Sequence, residues 1–401
     1  MEQNLQGNIW KYALILIANK RIFIAILGVY YLTIPDVTAQ TIGMLFLASN
    51  IAGFLFEIPS GYLSDKIGHK QALVISRISM LVSTMFFLFA SDAAFLVLGG
   101  VFLAISNAFQ SGTGSAFMHE TLRGLKREDD YTEIMGKIGS VGFAMPIVFM
   151  MTVPFLVSIS YKLPFIISLV TDTIGLFAAL SLAVPKVPQE HIEEIEATNF
   201  WQVIREGHRL HFFIFSLFAG IIGGVLFAIS GFRGPYQAFL GMPVIWFGVL
   251  FGLGRMGASL MLAYSGSLKK KMSVFSFYRF ELILYSGFLL LLGTVTAWWV
   301  VAGVFIVSNA FNWGLSRIDE GYQMDIIKES KFKATLLSVG SQMELIIGAI
   351  GSFGLGFAIE HVSYQYGFLY LGIAFLALLL PVYIFIVRRY KNDPRFARAL
   401  N

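Results

Sequence analysis

Three carboxylic acids lie within long apolar stretches of the sequence, at Glu57, Asp172 and Glu344. A charge near the centre of a bilayer costs at least about 2.5–3.5 kcal/mol, so such residues are hypotheses for function. Because desolvation favours the neutral form of an acid, these three are candidates for binding and releasing protons. For Glu57 the favoured interpretation is an ion pair within an inner gate, and for Asp172 an inward-facing polar partner. Glu281 is expected to form an interfacial pair with Arg279.

Cations also occur within apolar stretches, at Lys20, Arg21 and Arg255. The functional interpretation is a cationic pocket for an anionic or zwitterionic solute. Two structural alternatives stay open. In the first, residues 1–20 lie at the membrane interface and the first span begins after Arg21. In the second, Arg255 and Glu344 form an ion pair, which protonation of Glu344 would break.

Amide side chains stand in the middle of two apolar stretches, and an indole ring follows one of them. Hydrogen bonds from these amides serve equally well to bind a solute or to join helices, the latter worth about 0.6 kcal/mol each. The indole is a candidate wall on which a solute could stack. The residues are Asn107, Gln110, Asn309, Asn312 and Trp313.

The elements that must position these residues are membrane-spanning helices. The chain has 401 residues, of which 57% are hydrophobic and 13% charged, against about 25% charged in a soluble domain. Apolar stretches of about 20 residues cross a bilayer as helices, because lipid offers no partner for backbone polar groups. The fold class predicted is an all-α membrane protein with twelve spans, at 11–33, 41–60, 71–91, 94–117, 134–157, 162–183, 211–232, 244–264, 274–293, 297–316, 334–357 and 364–388.

Basic residues are concentrated in alternate loops, which an even number of spans places on one side with both termini. The opposite loops hold little beyond Lys162 and Arg233. Since basic loops stay in the cytoplasm, both termini are predicted to be cytoplasmic and no nucleic-acid partner is expected. The N-terminus carries no basic segment or small-residue cleavage site, so no removable signal peptide is expected. The basic loops are 61–70, 118–133, 184–210, 265–273, 317–333 and the tail after Ile386.

An internal repeat divides the chain into halves. The segment 106–112, Ser-Asn-Ala-Phe-Gln-Ser-Gly, recurs at 308–314 as Ser-Asn-Ala-Phe-Asn-Trp-Gly. The repeat predicts two pseudo-symmetric six-helix bundles, at 1–184 and 211–401, joined by a cytoplasmic linker at 185–210. Within the linker, residues 190–196 are acidic, and 200–205 are expected to form an amphipathic helix at the membrane interface.

One short segment carries a recognisable motif. Residues 61–70, Gly-Tyr-Leu-Ser-Asp-Lys-Ile-Gly-His-Lys, are predicted to form a tight turn between two helices, with Asp65 accepting from backbone N–H groups at a helix start. The segment resembles the motif G-x-L-x-D-x-x-G-x-K of major facilitator superfamily transporters, with His69 where a basic Arg is usual. Residues 56–61, Phe-Glu-Ile-Pro-Ser-Gly, are similar to the lead-in found in bacterial members. Gly61, Leu63, Asp65, Gly68 and Lys70 are the positions that match, and the resemblance implies a gating role for Gly61, Asp65, Lys66, Gly68 and Lys70.

The resemblance implies a secondary transporter rather than an enzyme. It implies alternating access, with Asp65 capping the start of span eleven to hold the cytoplasmic side closed. Because titratable acids lie in the spans, proton-coupled efflux of a small organic solute is the favoured function. The alternatives are a uniporter or importer of an anionic solute, and a lysophospholipid or other lipid translocator. The expected partners are the solute, protons and membrane lipid, for a monomer in the bacterial inner membrane.

Soluble-enzyme constellations do not stand out in the sequence. The chain has no Cys, which excludes disulfides, thiol nucleophiles and thiolate metal sites. No phosphate-binding loop or paired-histidine metal motif is apparent. We therefore expect no cofactor and no metal, with energy drawn from an ion or solute gradient.

Overall fold

The computed structural model describes residues 2–111, 113–127, 130–185, 200–243, 245–328, 330 and 332–393. The elements in these ranges are helices, with a short 3₁₀ turn at Ile22–Ala25. The α-helices are α1 (Glu2–Ala18), α2 (Leu27–Tyr31), α3 (Ala39–Ile67), α4 (His69–Leu88), α5 (Ala93–Gln110), α6 (Thr113–Gly124), α7 (Tyr131–Ile159), α8 (Leu163–Leu180), α9 (Phe200–Arg209), α10 (Phe212–Phe239), α11 (Ile245–Lys271), α12 (Val274–Thr294), α13 (Trp298–Ile326), α14 (Lys333–His361) and α15 (Tyr364–Tyr390).

The all-α membrane fold predicted from the apolar stretches is confirmed. Within the described residues, ten helical segments are long and apolar enough to cross a membrane. Two further predicted spans correspond to other helices. Span 11–33 is divided among α1, the 3₁₀ turn and α2, and span 134–157 lies within α7.

Several helices run beyond the predicted spans. α11 continues to Lys271 and α13 to Ile326, so parts of the predicted loops 265–273 and 317–333 are helical. At 1.5 Å per residue, the 29 residues of α13 extend about 43 Å, more than the hydrocarbon thickness of about 30 Å. Hydropathy alone underestimates such helices because their polar ends lie outside the apolar core.

The motif segment forms a sharper turn than predicted. α3 continues through Gly61 and Asp65 to Ile67, and α4 begins at His69. Only Gly68 separates the two helices, with φ at 97°, a backbone conformation that glycine adopts without steric cost. The predicted ten-residue loop is therefore wrong, because one residue with positive φ suffices to reverse the chain.

The first span is interrupted at its charged residues. α1 ends at Ala18, before Lys20 and Arg21, and the chain continues as the 3₁₀ turn. Tyr12 and Ile15 of α1 are buried in the main hydrophobic core of the N-terminal helices. α1 is therefore part of the packed helix bundle, and the alternative that residues 1–20 lie at the membrane interface stays a prediction.

The helices group into two compact units. Both α3 and α11 are divided between the units: the first turns of each helix belong to one unit and the remaining turns to the other. Unit 1 comprises Met1–Val37, Ala48–Ala197 and Ile245–Gly252; unit 2 comprises Thr38–Leu47, Thr198–Val244 and Leu253–Asn401. The predicted domain bounds, 1–184 and 211–401 with the linker 185–210, stay a prediction.

Within unit 2, small residues allow α10 and α14 to approach closely. A Cβ atom placed on Gly224 would lie 2.8 Å from the backbone nitrogen of Gly348. In lipid, such close backbone approach supplies van der Waals contact that the hydrophobic effect cannot. The two helices therefore form a rigid support for the residues that they carry.

The linker is described in part. Its acidic stretch, 190–196, lies outside the described residues. The predicted amphipathic helix is present as α9, Phe200–Arg209. Val203 on one side of α9 is buried against Phe212 and Leu336, whereas Trp201 is exposed. Its placement at a membrane interface stays a prediction.

Candidate functional site

A cluster of buried charged residues lies in the interior of unit 1. Asp172 of α8 is 1% exposed, and the hydroxyl of Thr84 donates to its Oδ2 over 2.6 Å. The charges of Arg77 and Arg21 both act on this carboxylate. The predicted polar partner of Asp172 is thus confirmed as Thr84, and the two guanidinium groups favour the ionised carboxylate.

Arg77 of α4 connects three helices within this cluster. Its side chain is fully buried, and its Nη2 donates to Asn19 Oδ1 at 3.1 Å, to Gln110 Oε1 at 3.3 Å and to Ser76 Oγ at 3.2 Å. Sequence analysis missed Arg77, although it lies in the middle of an apolar stretch like the acids singled out there. Gln110 therefore positions a buried arginine, in the helix-joining manner considered for the amides.

The other cations of the first span lie beside this cluster. Arg21 Nε donates to Met80 Sδ at 3.0 Å, and both Arg21 and Lys20 are half-buried. Their position in the interruption of the first span keeps them off a regular helix. Discontinuous helices of this kind line solute sites in membrane transporters, which agrees with the predicted cationic pocket.

Glu57 of α3 lies beside a break in the neighbouring span, the fourth predicted span at 94–117. α5 ends at Gln110 and α6 begins at Thr113, and the hydroxyl of Ser111 lies close to the Glu57 carboxylate. One turn further along α3, Ser60 Oγ donates to Ala108 O at 3.0 Å. The contact with Ser111 places Glu57 at a chain break, and its predicted part in an inner gate stays a prediction.

His69 replaces the usual arginine of the motif and forms its own contacts. Its Nε2 lies 3.2 Å from Glu120 Oε1, and its Nδ1 lies 2.9 Å from Ser64 Oγ. Asp65 is exposed in the last turn of α3, and the residue that precedes α4 is Gly68, without a side-chain cap. The expectation that Asp65 caps the adjacent helix is therefore wrong. Its family role toward span eleven stays a prediction.

The remaining motif residues lie along the same turn. Gly61 and Lys66 are exposed, and Lys70 is half-buried in the first turn of α4. Asn107 of α5 is also exposed, on the helix turn before Gln110. These positions are accessible, as the predicted gating and solute-binding roles would require.

A guanidinium group lies on an aromatic ring in unit 2. Arg255 of α11 stands over the Trp313 ring of α13, with 4.4 Å from Cζ to the ring centroid. Asn309, one turn before Trp313, has a buried Oδ1 without a hydrogen-bond partner within the described residues. Asn312 is half-buried beside them. The structure thus brings together four of the residues proposed for solute binding.

Arg233 adds a second cation to this part of unit 2. The sequence places it in an outer loop, but α10 continues to Phe239 and contains it. Arg233 is half-buried, and its charge acts on Arg255. The predicted loop position is therefore wrong. The charged side chain of Arg233 was interpreted as the end of the span, although the helix continues to Phe239.

Glu344 does not pair with Arg255. A Cβ atom placed on Gly223 of α10 would lie 2.7 Å from Glu344 Cδ, so the carboxylate rests on that glycine. Glu344 forms no ion pair with any cation of the described chain. The structural ion pair considered as an alternative is therefore absent, and Arg255 stacks on Trp313 instead.

Glu281 of α12 pairs with another acid rather than with Arg279. Glu281 is 1% exposed and its carboxyl group lies within hydrogen-bonding reach of the Asp319 carboxyl group of α13, whereas Arg279 is exposed. Residues two apart on a helix point in different directions, so the expected interfacial pair is wrong. The contact with Asp319 was not predicted because the sequence analysis places Asp319 in the loop 317–333.

Metal-binding groups do not occur in the part of the chain that the structure describes: no three His, Cys, Asp or Glu side chains there could hold an ion together.

Known proteins share this arrangement of helices. The family model of the Major Facilitator Superfamily matches residues 12–317. YxaM of Bacillus subtilis (strain 168), an uncharacterized MFS-type transporter, is 24% identical over 249 residues, which cover 61% of this chain and 61% of that protein. A mutant of the nucleoside transporter NupG has a TM-score of 0.77 at 12% identity, covering 96% of this chain and 100% of that one.

A second solved structure is similar over nearly the whole chain. It is a bacterial homolog of the human lysosomal transporter Spinster, in an inward-facing and unoccupied conformation, with a TM-score of 0.71 at 14% identity. The match covers 99% of this chain and 98% of that one. The chain therefore belongs to the major facilitator superfamily, a family of multi-pass membrane transporters.

Proposed function

We propose that the protein is a proton-coupled secondary transporter that moves a small organic solute with an anionic group by alternating access. The observation that carries this proposal is the separation of Arg255 from Glu344 within unit 2. Arg255 is stacked on an aromatic ring, and Glu344 rests on a glycine without an ion pair. Unit 2 thus holds a guanidinium group beside an exposed aromatic ring and, apart from it, a carboxyl group that can bind a proton.

Solute recognition is assigned to the stack of Arg255 on Trp313. A guanidinium group held flat on an indole keeps its N–H groups in one plane, which suits a carboxylate or phosphate. The exposed part of Trp313, 41% of its surface, offers a second apolar contact. Asn309 and Asn312 lie on the same helix and supply amide hydrogen bonds. Lys20 and Arg21 are assigned a supporting role in unit 1.

Proton binding is assigned to Glu344 in preference to Asp172. Asp172 accepts a hydrogen bond from Thr84 and lies within electrostatic range of Arg21 and Arg77, so that its neighbours offset part of its charge. Glu344 is exposed and has no such compensation among the described residues. A carboxyl group that is both reachable and uncompensated suits repeated protonation and deprotonation. Glu57, close to Ser111, is assigned to the inner gate.

Efflux across a bacterial inner membrane, with both termini in the cytoplasm, completes the proposal. The lead-in at 56–61 and the motif at 61–70 resemble those of exporters, which supports outward transport. The basic ends of α11 and α15, at Lys269–Lys271 and Arg388–Arg389, support a cytoplasmic position for those ends. Transport by the monomer is assumed for the experiments below.

The experiment begins with a search for the solute. Ligands that bind the folded protein raise its unfolding temperature. Purified protein is screened by thermal unfolding against small carboxylates, phosphates, zwitterions and ammonium compounds, each in aromatic and aliphatic forms. We expect anionic aromatic compounds to stabilise the protein and Arg255→Gln to abolish that effect. Arg279→Gln, which removes an exposed arginine of α12, is the matched control.

Transport of the strongest stabiliser is then measured in proteoliposomes with an imposed pH gradient. We expect uphill accumulation that a protonophore abolishes. Glu344→Gln should lose accumulation but keep exchange of labelled for unlabelled solute, and Glu320→Gln, an exposed acid of α13, should behave like the wild type. Accumulation that is indifferent to the protonophore would contradict proton coupling and favour a facilitator. Stabilisation by lysophospholipid alone would favour a lipid translocator.

A further inference from the structure

Two carboxyl groups from different helices meet in the interior of unit 2. Glu281 stands seven residues after the start of α12 at Val274, and Asp319 seven residues before the end of α13 at Ile326. At 1.5 Å per residue, both lie about 10 Å from the same end of this helix pair. The two carboxyl groups lie within hydrogen-bonding reach of each other, with Glu281 buried and Asp319 half-buried.

The pair lacks the usual means of stabilising two buried charges. Glu281 is 1% exposed, and its Oε2 has no hydrogen-bond partner within the described residues; neither has Asp319 Oδ1. Neither carboxyl group forms an ion pair with a Lys, Arg or His of the described chain. Two adjacent carboxylates without a cation repel each other strongly in an apolar interior.

Chemistry then requires a proton between them. A carboxylate offers only acceptor oxygens, so a hydrogen bond between two carboxyl groups forms only when one of them is protonated. We propose that Glu281 and Asp319 share one proton and form a proton-binding site of unit 2, which gains or loses that proton during transport. The gain or loss of the proton during transport rests on the proposed function, whereas the sharing of the proton does not.

The groups facing the pair are phenols and one further acid. Tyr278 and Tyr285 on α12, and Tyr322 on α13, interact electrostatically with Glu281 and Asp319. Glu344 of α14 acts on Asp319 in the same way. From α10, the backbone carbonyl of Phe215 accepts from Tyr278, and from α15 the Tyr383 hydroxyl bonds to the backbone of Phe275. None of these described neighbours is a cation that would favour two carboxylates.

A polar route leads from the pair toward the end of the helices. Tyr322, one turn from Asp319, donates to Met272 O at 2.6 Å and lies beneath the ammonium group of Lys269, 5.4 Å from its ring centroid. Lys269 in turn pairs with Asp325 at 2.7 Å, and Asp325 is 64% exposed. In the other direction, Asp319 is within electrostatic range of Glu344. The pair thus lies between the surface and the assigned coupling acid.

Infrared spectroscopy tests the shared proton without any solute. The protein in detergent at neutral pH should show a C=O stretch of a protonated, hydrogen-bonded carboxyl group that shifts in D₂O. Glu281→Gln and Asp319→Asn should each remove this band, because the amide can donate to the remaining carboxylate in place of the proton. Glu320→Gln is the matched control and should keep it. Absence of the band in the wild type, or its retention in both variants, would overturn the shared proton.

Transport measurements then separate this inference from the proposed function. Each single variant should bring fewer protons across the membrane per solute than the wild type, while labelled-solute exchange persists; exchange also shows that the variants fold. An unchanged proton-to-solute ratio in both variants would overturn the role of the pair in transport. A wild type that shows the band but moves no protons with solute would overturn proton coupling and leave the shared proton established.

Discussion

The buried acids of the two units have opposite surroundings. In unit 1, Asp172 accepts a hydrogen bond from Thr84 and lies within electrostatic range of Arg21 and Arg77, so that the site holds two cations and a donor. In unit 2, Glu281 and Asp319 face each other without a cation among the described residues. Burial alone therefore does not decide the protonation state of a carboxyl group. Its neighbours determine whether it is ionised or holds a proton.

The internal repeat makes this difference more specific. Ser106 and Ser308 are 202 residues apart, and at the same spacing Arg77 corresponds to Arg279. Arg77 is buried and connects helices, whereas Arg279 is exposed. Glu281 and Asp319 correspond to Ser79 and Phe117, and Asp172 to Ala374. Neither charged site therefore has a counterpart in the other half of the repeat, and each is a separate addition to the shared fold.

The largest effect is expected from Asp172→Asn. The amide keeps the size of the side chain but removes the negative charge that acts on the buried Arg77 and the half-buried Arg21, which costs about 3 kcal/mol of folding stability. The measurement is thermal unfolding of the purified variant in detergent. Thr84→Val, which removes the hydroxyl donor but no charge, should cost only about 1 kcal/mol. A stable Asp172→Asn protein would show that the carboxylate is not needed to hold the arginines, and the comparison would fail.

A second, smaller loss of stability is expected from Gly175→Ala. The added methyl group would lie 2.6 Å from the Cβ atom of Ala18 and 3.6 Å from Arg77 Cδ, so α8 must move away from α1. Overpacking of this kind costs about 1–3 kcal/mol.

Gly287→Ala, on the same helix as Glu281, is the control for that change. Nothing lies within 4 Å of the added atom, and alanine should stabilise the helix by about 0.5–1 kcal/mol. Equal unfolding temperatures for the two variants would show that the surroundings of Asp172 are looser than the structure indicates. The pair of measurements thus tests how tightly the cluster of unit 1 is packed.

Sequence reasoning was sufficient for the fold because that part of the problem depends on length and polarity. Apolar stretches of the right length predict spanning helices, and the motif at 61–70 indicates the family. Residue contacts were harder to predict. Asp319 and Arg233 were assigned to loops because hydropathy marks where a helix leaves lipid, not where its hydrogen bonds end.

Partners across helices were not predictable for a further reason. A single sequence says which residues are charged but not which helix faces meet. The ion pair of Arg255 with Glu344 was one alternative, drawn from opposite charges in two spans of the same half, whereas the structure places Arg255 over Trp313 and Glu344 against Gly223. The only sign of the interruption at Lys20 and Arg21 in the sequence is the presence of two charges in an apolar span. The backbone conformation of the interruption depends on packing, which the sequence does not show.

A moderate effect on solute binding is expected from Arg255→Lys, which extends the comparison from acids to cations. Lysine keeps the charge but lacks the planar guanidinium group that binds a carboxylate or phosphate with two hydrogen bonds, and the lost bond is worth about 1 kcal/mol. We expect roughly fivefold weaker binding of the stabilising solute, measured by calorimetry. Folding stability should stay close to wild type. Undiminished affinity would mean that Arg255 serves unit 2 as Arg77 serves unit 1, as a structural cation.

The smallest effect on stability is expected from Glu281→Gln, and a small effect is what a protonated pair predicts. If the pair already holds a proton, the glutamine amide donates to Asp319 in its place, and the unfolding free energy should change by less than about 1 kcal/mol. The same exchange of carboxyl for amide is thus nearly neutral in unit 2 and costly in unit 1, as thermal unfolding of the two variants side by side will show. A loss at Glu281 as large as that of Asp172→Asn would require an ionised Glu281 with a cation partner. The two sites would then differ only in which arginine serves them.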